Sequence, residues 1–107
     1  MAAYLCPYLK SEVELTDERK AHIMLRHPEL SDGEKYIAQV LASPTEIRRS
    51  SRFHNARLFS RSFTDFMNGK YVVVVVVTDS GAASRSWVIT AYVARKLCEG
   101  EIEWKEN

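Results

Sequence analysis

The chain has 107 residues, the usual size of one domain, and we therefore treat residues 1–107 as a single domain. Hydrophobic residues make up 46% of the sequence and charged residues 27%, which provides enough apolar surface for a core and excludes an intrinsically disordered chain. The formal net charge of +1 excludes a protein that binds nucleic acid through a large overall positive charge. Any binding to a polyanion would therefore require a local basic patch.

Cysteine usage and apolar runs indicate a soluble protein of the reducing cytosol. Cys6 and Cys98 have neither CxxC nor zinc-finger spacing, so two free thiols are favoured over a disulfide. The sequence shows no secretion signal. The longest apolar run, residues 71–77, is too short to span a bilayer and is typical of a buried strand. We expect a cytoplasmic location and no membrane partner.

Two helices are predicted in the first half of the chain. The first covers residues 16–27, because Thr16 is a typical N-cap residue and Pro28 disfavours helical geometry at His27. The second covers residues 32–42, where Ser31 and Glu34 have the spacing of a capping box.

The remaining sequence predicts strands. Alternating or β-branched segments occur at residues 46–52, 56–63, 71–77 and 87–94, with a short strand near 12–15. Short connections between strands favour antiparallel pairing, and segregated helices and strands favour an α+β fold. We therefore expect an α+β domain in which two N-terminal helices pack on one face of an antiparallel sheet of about four strands.

Alternation along the last predicted strand assigns its side chains to the two faces of the sheet. Thr90 and Tyr92 are expected on the face that the helices leave open, and Arg95 and Lys96 follow at the end of the strand. The residues expected to face the helices are Trp87, Ile89, Ala91 and Val93. Thr90 and Tyr92 are candidate site residues, and the alternative is an ordinary half-solvated edge strand with a basic end.

A basic cluster precedes the valine-rich strand. Arginine side chains bind phosphate well and aromatic rings stack on bases, so this segment is a candidate RNA-binding surface. The alternative is a solvated hairpin, although Arg61 lies in the middle of a strand between two phenylalanines. The cluster consists of Arg48, Arg49, Arg52, Arg57 and Arg61, interleaved with Phe53, His54, Phe59 and Phe63.

The end of the first helix contains His22, Arg26 and His27. Histidine exchanges a proton near neutral pH, as general acid–base catalysis requires. The alternative is a structural role, in which His27 interacts with the negative end of the helix. Metal binding is not expected, because no HExxH motif or compact set of ligands occurs.

Together these segments resemble the phage-associated barnase/EndoU/colicin/RelE-like (BECR-fold) nucleases. The resemblance lies in residues 16–23, the RHPEL segment at 26–30, the valine strand at 71–77 and the VITAY segment at 88–92. It covers roughly residues 12–104 and implies helices on a four-stranded antiparallel sheet, RNA cleavage without a metal or other cofactor, and a toxin or phage-effector role. Carried over by position, it implies catalytic roles for His22, Arg26, His27, Arg61, Thr90 and Tyr92, with Arg57 as an alternative to Arg61.

The chemistry implied is attack of the RNA 2′-hydroxyl on the adjacent phosphate. A base removes the hydroxyl proton, arginines stabilise the developing negative charge, and an acid protonates the leaving 5′-oxygen. We expect RNA to be the partner, with Arg57, Arg95 and Lys96 contributing to substrate binding. The alternative is a non-catalytic module of the same fold that binds RNA or protein. A toxin-type role would add a cognate inhibitor protein, and the sequence leaves the oligomeric state open.

Overall fold

The computed structural model describes residues 2–30, 33–65, 67–79 and 85–106, apart from the side chain of Met67. Over these residues the fold is α+β, as expected, with two α-helices and one sheet. The helices are α1 (Asp17–Arg26) and α2 (Glu34–Ala42). The strands are β1 (Ala2–Cys6), β2 (Ser11–Leu15), β3 (Glu46–Arg49), β4 (Ala56–Ser62), β5 (Tyr71–Thr78), β6 (Ser86–Ala94) and β7 (Glu101–Lys105).

The sheet has more strands than the predicted number of about four, and it is not purely antiparallel. Over the described residues the sheet has seven strands in the order β1-β2-β6-β5-β4-β3-β7. The strands β3 to β6 form the expected antiparallel centre, and β2 joins β6 in parallel through the single pair Glu14↔Trp87. The short outer strands β1 and β7 complete the two edges.

The boundaries of α1 agree with the predicted ones, because Thr16 caps its start and Pro28 follows its end. The Thr16 hydroxyl accepts a hydrogen bond from the Arg19 amide at 3.1 Å, which caps the first turn. The helix ends at Arg26, directly before His27 and Pro28.

The start of α2 differs from the capping-box prediction. Ser31 lies outside the described residues, and the N-cap is Gly33 without a side-chain hydrogen bond. The Glu34 carboxylate instead binds the Lys20 ammonium at 2.5 Å and accepts a hydrogen bond from the Tyr4 hydroxyl. Glu34 thereby links α2 to α1 and β1.

The helices cover one face of the sheet, where the main core lies. Val72, Val74 and Val76 of β5 point into this core with Phe59 and Ile37. The intervening Val73, Val75 and Val77 belong to a second apolar cluster on the opposite face, which we call the open face. Both faces of β5 are therefore apolar, which explains its continuous run of valines.

A β-bulge in β6 overturns part of the predicted face assignment. The pairing passes from Val75↔Thr90 to Val76↔Val88, so Ile89 is an extra residue on the bulged strand. Ala91 and Val93 contact the helix-side core as expected, whereas Ile89 packs in the open-face cluster. Trp87 pairs with Val77 of the open-face cluster, and Val88 takes the core position instead.

The connection from β6 to β7 passes over the open face. Residues 95–100, here called the crossover segment, carry the chain from β6 past β5, β4 and β3 to the edge strand β7. Leu97 packs on the open-face cluster, and Arg48 Nη1 donates to the Gly100 carbonyl at 3.4 Å. Within the described residues, no helix is long and apolar enough to cross a membrane.

Candidate active site at the edge of β6

The end of α1 reaches the open side of the sheet over an uncovered stretch of the β6 edge. Among the described residues, β2 pairs with β6 only at Glu14↔Trp87, and no other described strand adjoins the rest of this edge. The helix α1 runs beside it, and Arg19 Nη1 donates to the Ile89 carbonyl at 3.4 Å. Arg19, Ile23 and His27 follow one another at intervals of four, so they lie on the same side of the helix.

His27 and Tyr92 come together at this edge. Their ring centroids are 6.2 Å apart, with an angle of 41° between the ring planes. Tyr92 belongs to the open-face cluster, and Thr90 lies on the same face because it pairs with Val75. His27 at the end of α1 and Tyr92 of β6 therefore lie in one candidate site.

The chemistry of the two rings differs. His27 Nδ1 lies 3.7 Å from a Glu29 carboxylate oxygen, and a third of its side chain is exposed. Burial raises the pKa of the Tyr92 phenol, and the nearby Glu99 carboxylate raises it further. Tyr92 therefore keeps its proton at neutral pH and can donate a hydrogen bond, whereas the neutral His27 imidazole has a ring nitrogen that can accept a proton.

His22 and Arg26 lie on the row of α1 next to His27, one turn apart. His22 is half-buried and Arg26 is exposed. Arg95 and Lys96 are also exposed, directly after the end of β6. Of these side chains, Lys96 lines the same cavity as Tyr92, while Arg26 adjoins His27 in sequence.

Arg61 and Arg57 are not brought to Tyr92. They alternate with Phe59 and Phe63 on the helix-covered face, so they do not line the open face. Arg61 donates to the Ser43 carbonyl at the end of α2 at 2.8 Å and lies 5.5 Å from the Phe63 ring. Among the described residues, these contacts make Arg61 a cap for the helix C-terminus.

Arg57 belongs to a polar network at the other end of β4. Its Nε donates to Glu103 of β7 at 2.8 Å, and the Tyr8 hydroxyl donates to the same carboxylate oxygen at 2.6 Å. Arg49 Nε lies 2.9 Å from the second oxygen of Glu103 and forms an ion pair with it, but this contact does not have the geometry of a hydrogen bond. Burial works to raise the pKa of Glu103, but the donors from Tyr8 and Arg57 outweigh it and hold this pKa below its usual range.

One further feature, which the alternation patterns do not predict, is a cavity of about 260 Å³ between the crossover segment and the open face. Tyr92 forms part of its wall, and Lys96, Cys98 and Glu99 lie along the crossover side. The sequence signal nearest to this cavity is the basic pair Arg95 and Lys96, which follows β6 directly. Both cysteines are free, as expected; Cys6 is buried and Cys98 is exposed.

A metal centre is not evident in the described part of the chain, where no group of three or more histidine, cysteine, aspartate or glutamate side chains has the geometry to bind an ion. Comparison of the chain with protein-family models, with curated proteins and with solved structures finds no match.

Proposed function

We propose that this protein is a metal-independent endoribonuclease that cleaves RNA by attack of the 2′-hydroxyl at the edge of β6. The observation that carries the proposal is the approach of His27 to Tyr92, with ring centroids 6.2 Å apart. The two rings come from the RHPEL and VITAY segments, which also carry the resemblance to the BECR-fold nucleases.

His27 is the general base of the proposed reaction. It accepts the proton of the 2′-hydroxyl, and O2′ then forms its bond to phosphorus. The imidazolium that results is stabilised by the Glu29 carboxylate, which lies 3.7 Å from Nδ1. Because Glu29 faces Nδ1, we assign the proton transfer to Nε2.

Tyr92 is the proton donor to the leaving group. As the bond between phosphorus and the 5′-oxygen breaks, the phenol transfers its proton to that oxygen. The phenolate then takes up a proton from the solvent, to which the His27 imidazolium releases the proton that it accepted. The phenol is protonated at neutral pH. The alkoxide that develops on the 5′-oxygen is a stronger base than a phenolate, so the proton moves towards the leaving group. Thr90, on the same face of β6, donates a hydrogen bond to the phosphate.

Arg26 stabilises the charge that develops on the phosphate in the transition state. It is adjacent to His27 in sequence and exposed at the helix end, so its guanidinium is available to the substrate. Arg95 and Lys96 bind the neighbouring phosphates. Arg57 and Arg61 have no part in this mechanism, because their contacts hold them on the helix-covered face.

The test is cleavage of a labelled single-stranded RNA by the purified protein in excess EDTA. We expect products that end in a 2′,3′-cyclic phosphate, and no cleavage of the same sequence made as DNA, which lacks the nucleophile. His27→Ala and Tyr92→Phe should each slow cleavage by ~10²–10⁴-fold, the usual contribution of a general acid or base.

The matched control is His54→Ala, which removes an exposed histidine from the turn before β4. This variant should cleave at the rate of the wild type, and circular dichroism should show that all three variants are folded. Equal rates in wild type, His27→Ala and Tyr92→Phe would overturn the site. RNA binding without cleavage would favour the non-catalytic binding module, and activity lost in EDTA but restored by magnesium or zinc would contradict the mechanism.

A further inference from the structure

The cavity beneath the crossover segment adjoins the proposed catalytic pair. Tyr92 lines the cavity and also contacts the His27 ring, so one side chain belongs to both sites. Whatever occupies the cavity therefore lies directly beside the phosphate at which His27 and Tyr92 would transfer protons.

The lining of the cavity suits a flat, largely apolar group. Leu58 and Val73 of the open face form its floor, and Leu97 of the crossover segment packs on the same cluster. Its volume of about 260 Å³ lies just below the usual range for pockets that hold drug-sized ligands and well above the volume of a single bound water. An aromatic wall, an apolar floor and a polar rim are the features by which proteins hold an unstacked base.

The polar groups on the rim differ in whether they are available to a ligand. The Arg48 guanidinium is already held by Glu46, 2.5 Å from its Nε, and by the Gly100 carbonyl. Among the described residues, no cation lies within ion-pair distance of the Glu99 carboxylate. The rim therefore presents an acceptor without a partner, and a carboxylate acceptor favours a ligand edge with N–H donors.

We propose that this cavity is the nucleobase subsite of the enzyme and that Glu99 makes it prefer bases with an exocyclic amine over uracil. The inference rests on the ribonuclease proposed above, because it assigns the base next to the scissile phosphate. Adenine, guanine and cytosine each present an amino group to a carboxylate, whereas uracil flanks its single N–H with two carbonyl oxygens.

The first experiment blocks the cavity through Cys98. This thiol is exposed and lines the cavity, whereas Cys6 is buried, so N-ethylmaleimide should modify Cys98 selectively in the folded protein. We expect modification to weaken binding of a 2′-O-methyl RNA oligonucleotide, which cannot be cleaved, by tenfold or more. The reference is Cys98→Ser, whose affinity should be the same before and after treatment with the reagent. Unchanged binding by the fully modified wild type would overturn the subsite.

The second experiment measures base preference with four 2′-O-methyl homo-oligonucleotides of equal length. The uridine oligonucleotide should bind most weakly, by about tenfold, the ratio expected for the loss of one hydrogen bond to a charged group. Glu99→Gln should reduce this difference, while Glu12→Gln, which changes an exposed carboxylate of β2 away from the cavity, should preserve it. Equal affinities for all four oligonucleotides in the wild type would overturn the role of Glu99.

Different results would contradict the proposed nuclease activity and the proposed base subsite. Binding is measured on oligonucleotides that cannot be cleaved, so its outcome does not depend on whether His27 and Tyr92 are catalytic. If RNA is cleaved as proposed but neither modification of Cys98 nor Glu99→Gln changes binding, the nuclease stands and the base subsite is wrong. If His27→Ala cleaves at the rate of the wild type while uridine is still disfavoured, the catalytic assignment is wrong and the subsite stands.

Discussion

At the scale of single residues, arginines that look equivalent in the sequence have different environments. Arg26 is exposed beside His27, whereas Arg61 donates to the Ser43 carbonyl and lies near the Phe63 ring. The two positions share a residue type but not a role. One guanidinium is available to a phosphate, and the other completes the end of α2.

This contrast gives a matched pair of substitutions. Arg26→Ala should lower kcat for RNA cleavage and leave the free energy of unfolding unchanged, because it removes charge stabilisation from an exposed side chain. Arg61→Ala should leave cleavage unchanged and lower the free energy of unfolding by about 0.5–1.5 kcal/mol, the contribution of a typical hydrogen bond. Cleavage kinetics and urea unfolding of both variants test the pair. A loss of activity in Arg61→Ala without a loss of stability would return Arg61 to the site.

At the scale of elements, the crossover segment depends on one glycine. Gly100 has φ +78°, and a Cβ at this position would lie 1.9 Å from the Arg49 carbonyl oxygen. Gly69 provides a control, because it has nearly the same dihedral, φ +79°, but no atom within 4 Å of its Cβ position. Both positions require the left-handed region, and only Gly100 also requires the absence of a side chain.

Gly100→Ala should therefore destabilise the protein more than Gly69→Ala does. The positive φ alone costs roughly 1–2 kcal/mol in each variant, and at Gly100 the clash with a backbone carbonyl adds to it by displacing the crossover segment from β3. Thermal unfolding followed by circular dichroism measures the difference. Equal losses of stability would mean that the segment does not press against β3. Gly100→Ala should also weaken oligonucleotide binding, since this segment forms one wall of the cavity.

The elements also show what the sequence could and could not predict. Thr16 and Pro28 mark the ends of α1, and the alternation in β4 marks a strand, because these signals are local. The strand β7 was missed because Glu101, Glu103 and Lys105 are typical of a solvated tail, although Glu103 binds Arg57 across the sheet. Strict alternation does not predict the bulge at Ile89, because one extra residue in a strand leaves the hydrophobic composition of the segment unchanged.

The candidate site follows the same division. The sequence identified His27 and Tyr92 as separate candidates but left open how a helix residue could reach the open face. The answer depends on the brief pairing of β2 with β6, which leaves the rest of the β6 edge for α1. Such a pairing between distant segments leaves no periodic pattern in the sequence.

At the scale of the whole molecule, folding lowers the pKa values of some carboxyl groups and raises those of some phenol and thiol groups. Hydrogen bonds from Lys20 and Tyr4 hold the pKa of Glu34 below its usual range, and the pKa of Glu103 is also lowered. Burial raises the pKa of Tyr4 and Cys6, and a hydrogen bond to Glu103 raises that of Tyr8. The folded state therefore binds protons more weakly than the unfolded state at acid pH and more tightly at alkaline pH.

These shifts predict a stability that falls at both ends of the pH scale. The lowered carboxyl pKa values contribute stability above their unfolded values, about 4.3 for glutamate, and this is lost as pH falls through the folded values. The raised thiol and phenol pKa values contribute stability below their unfolded values, about 8.5 and 10, and this is lost as pH rises through the folded values. The free energy of unfolding in urea, measured from pH 3 to pH 11, should be greatest between about pH 5 and 8.

Two variants separate the acidic and the alkaline contributions. Tyr4→Phe removes a phenol of raised pKa and should make the alkaline decline shallower, although it also removes the hydrogen bond to Glu34 and so lowers stability at neutral pH. Glu103→Gln removes a carboxyl of lowered pKa and should make the acid decline shallower, because one fewer group takes up a proton on unfolding. Since Glu103 holds Arg57 and Tyr8 in place, its replacement should also cost about 1–3 kcal/mol at neutral pH. An acid limb of unchanged slope in Glu103→Gln would show that this carboxylate is not held in its charged form by the network that joins β7 to β4.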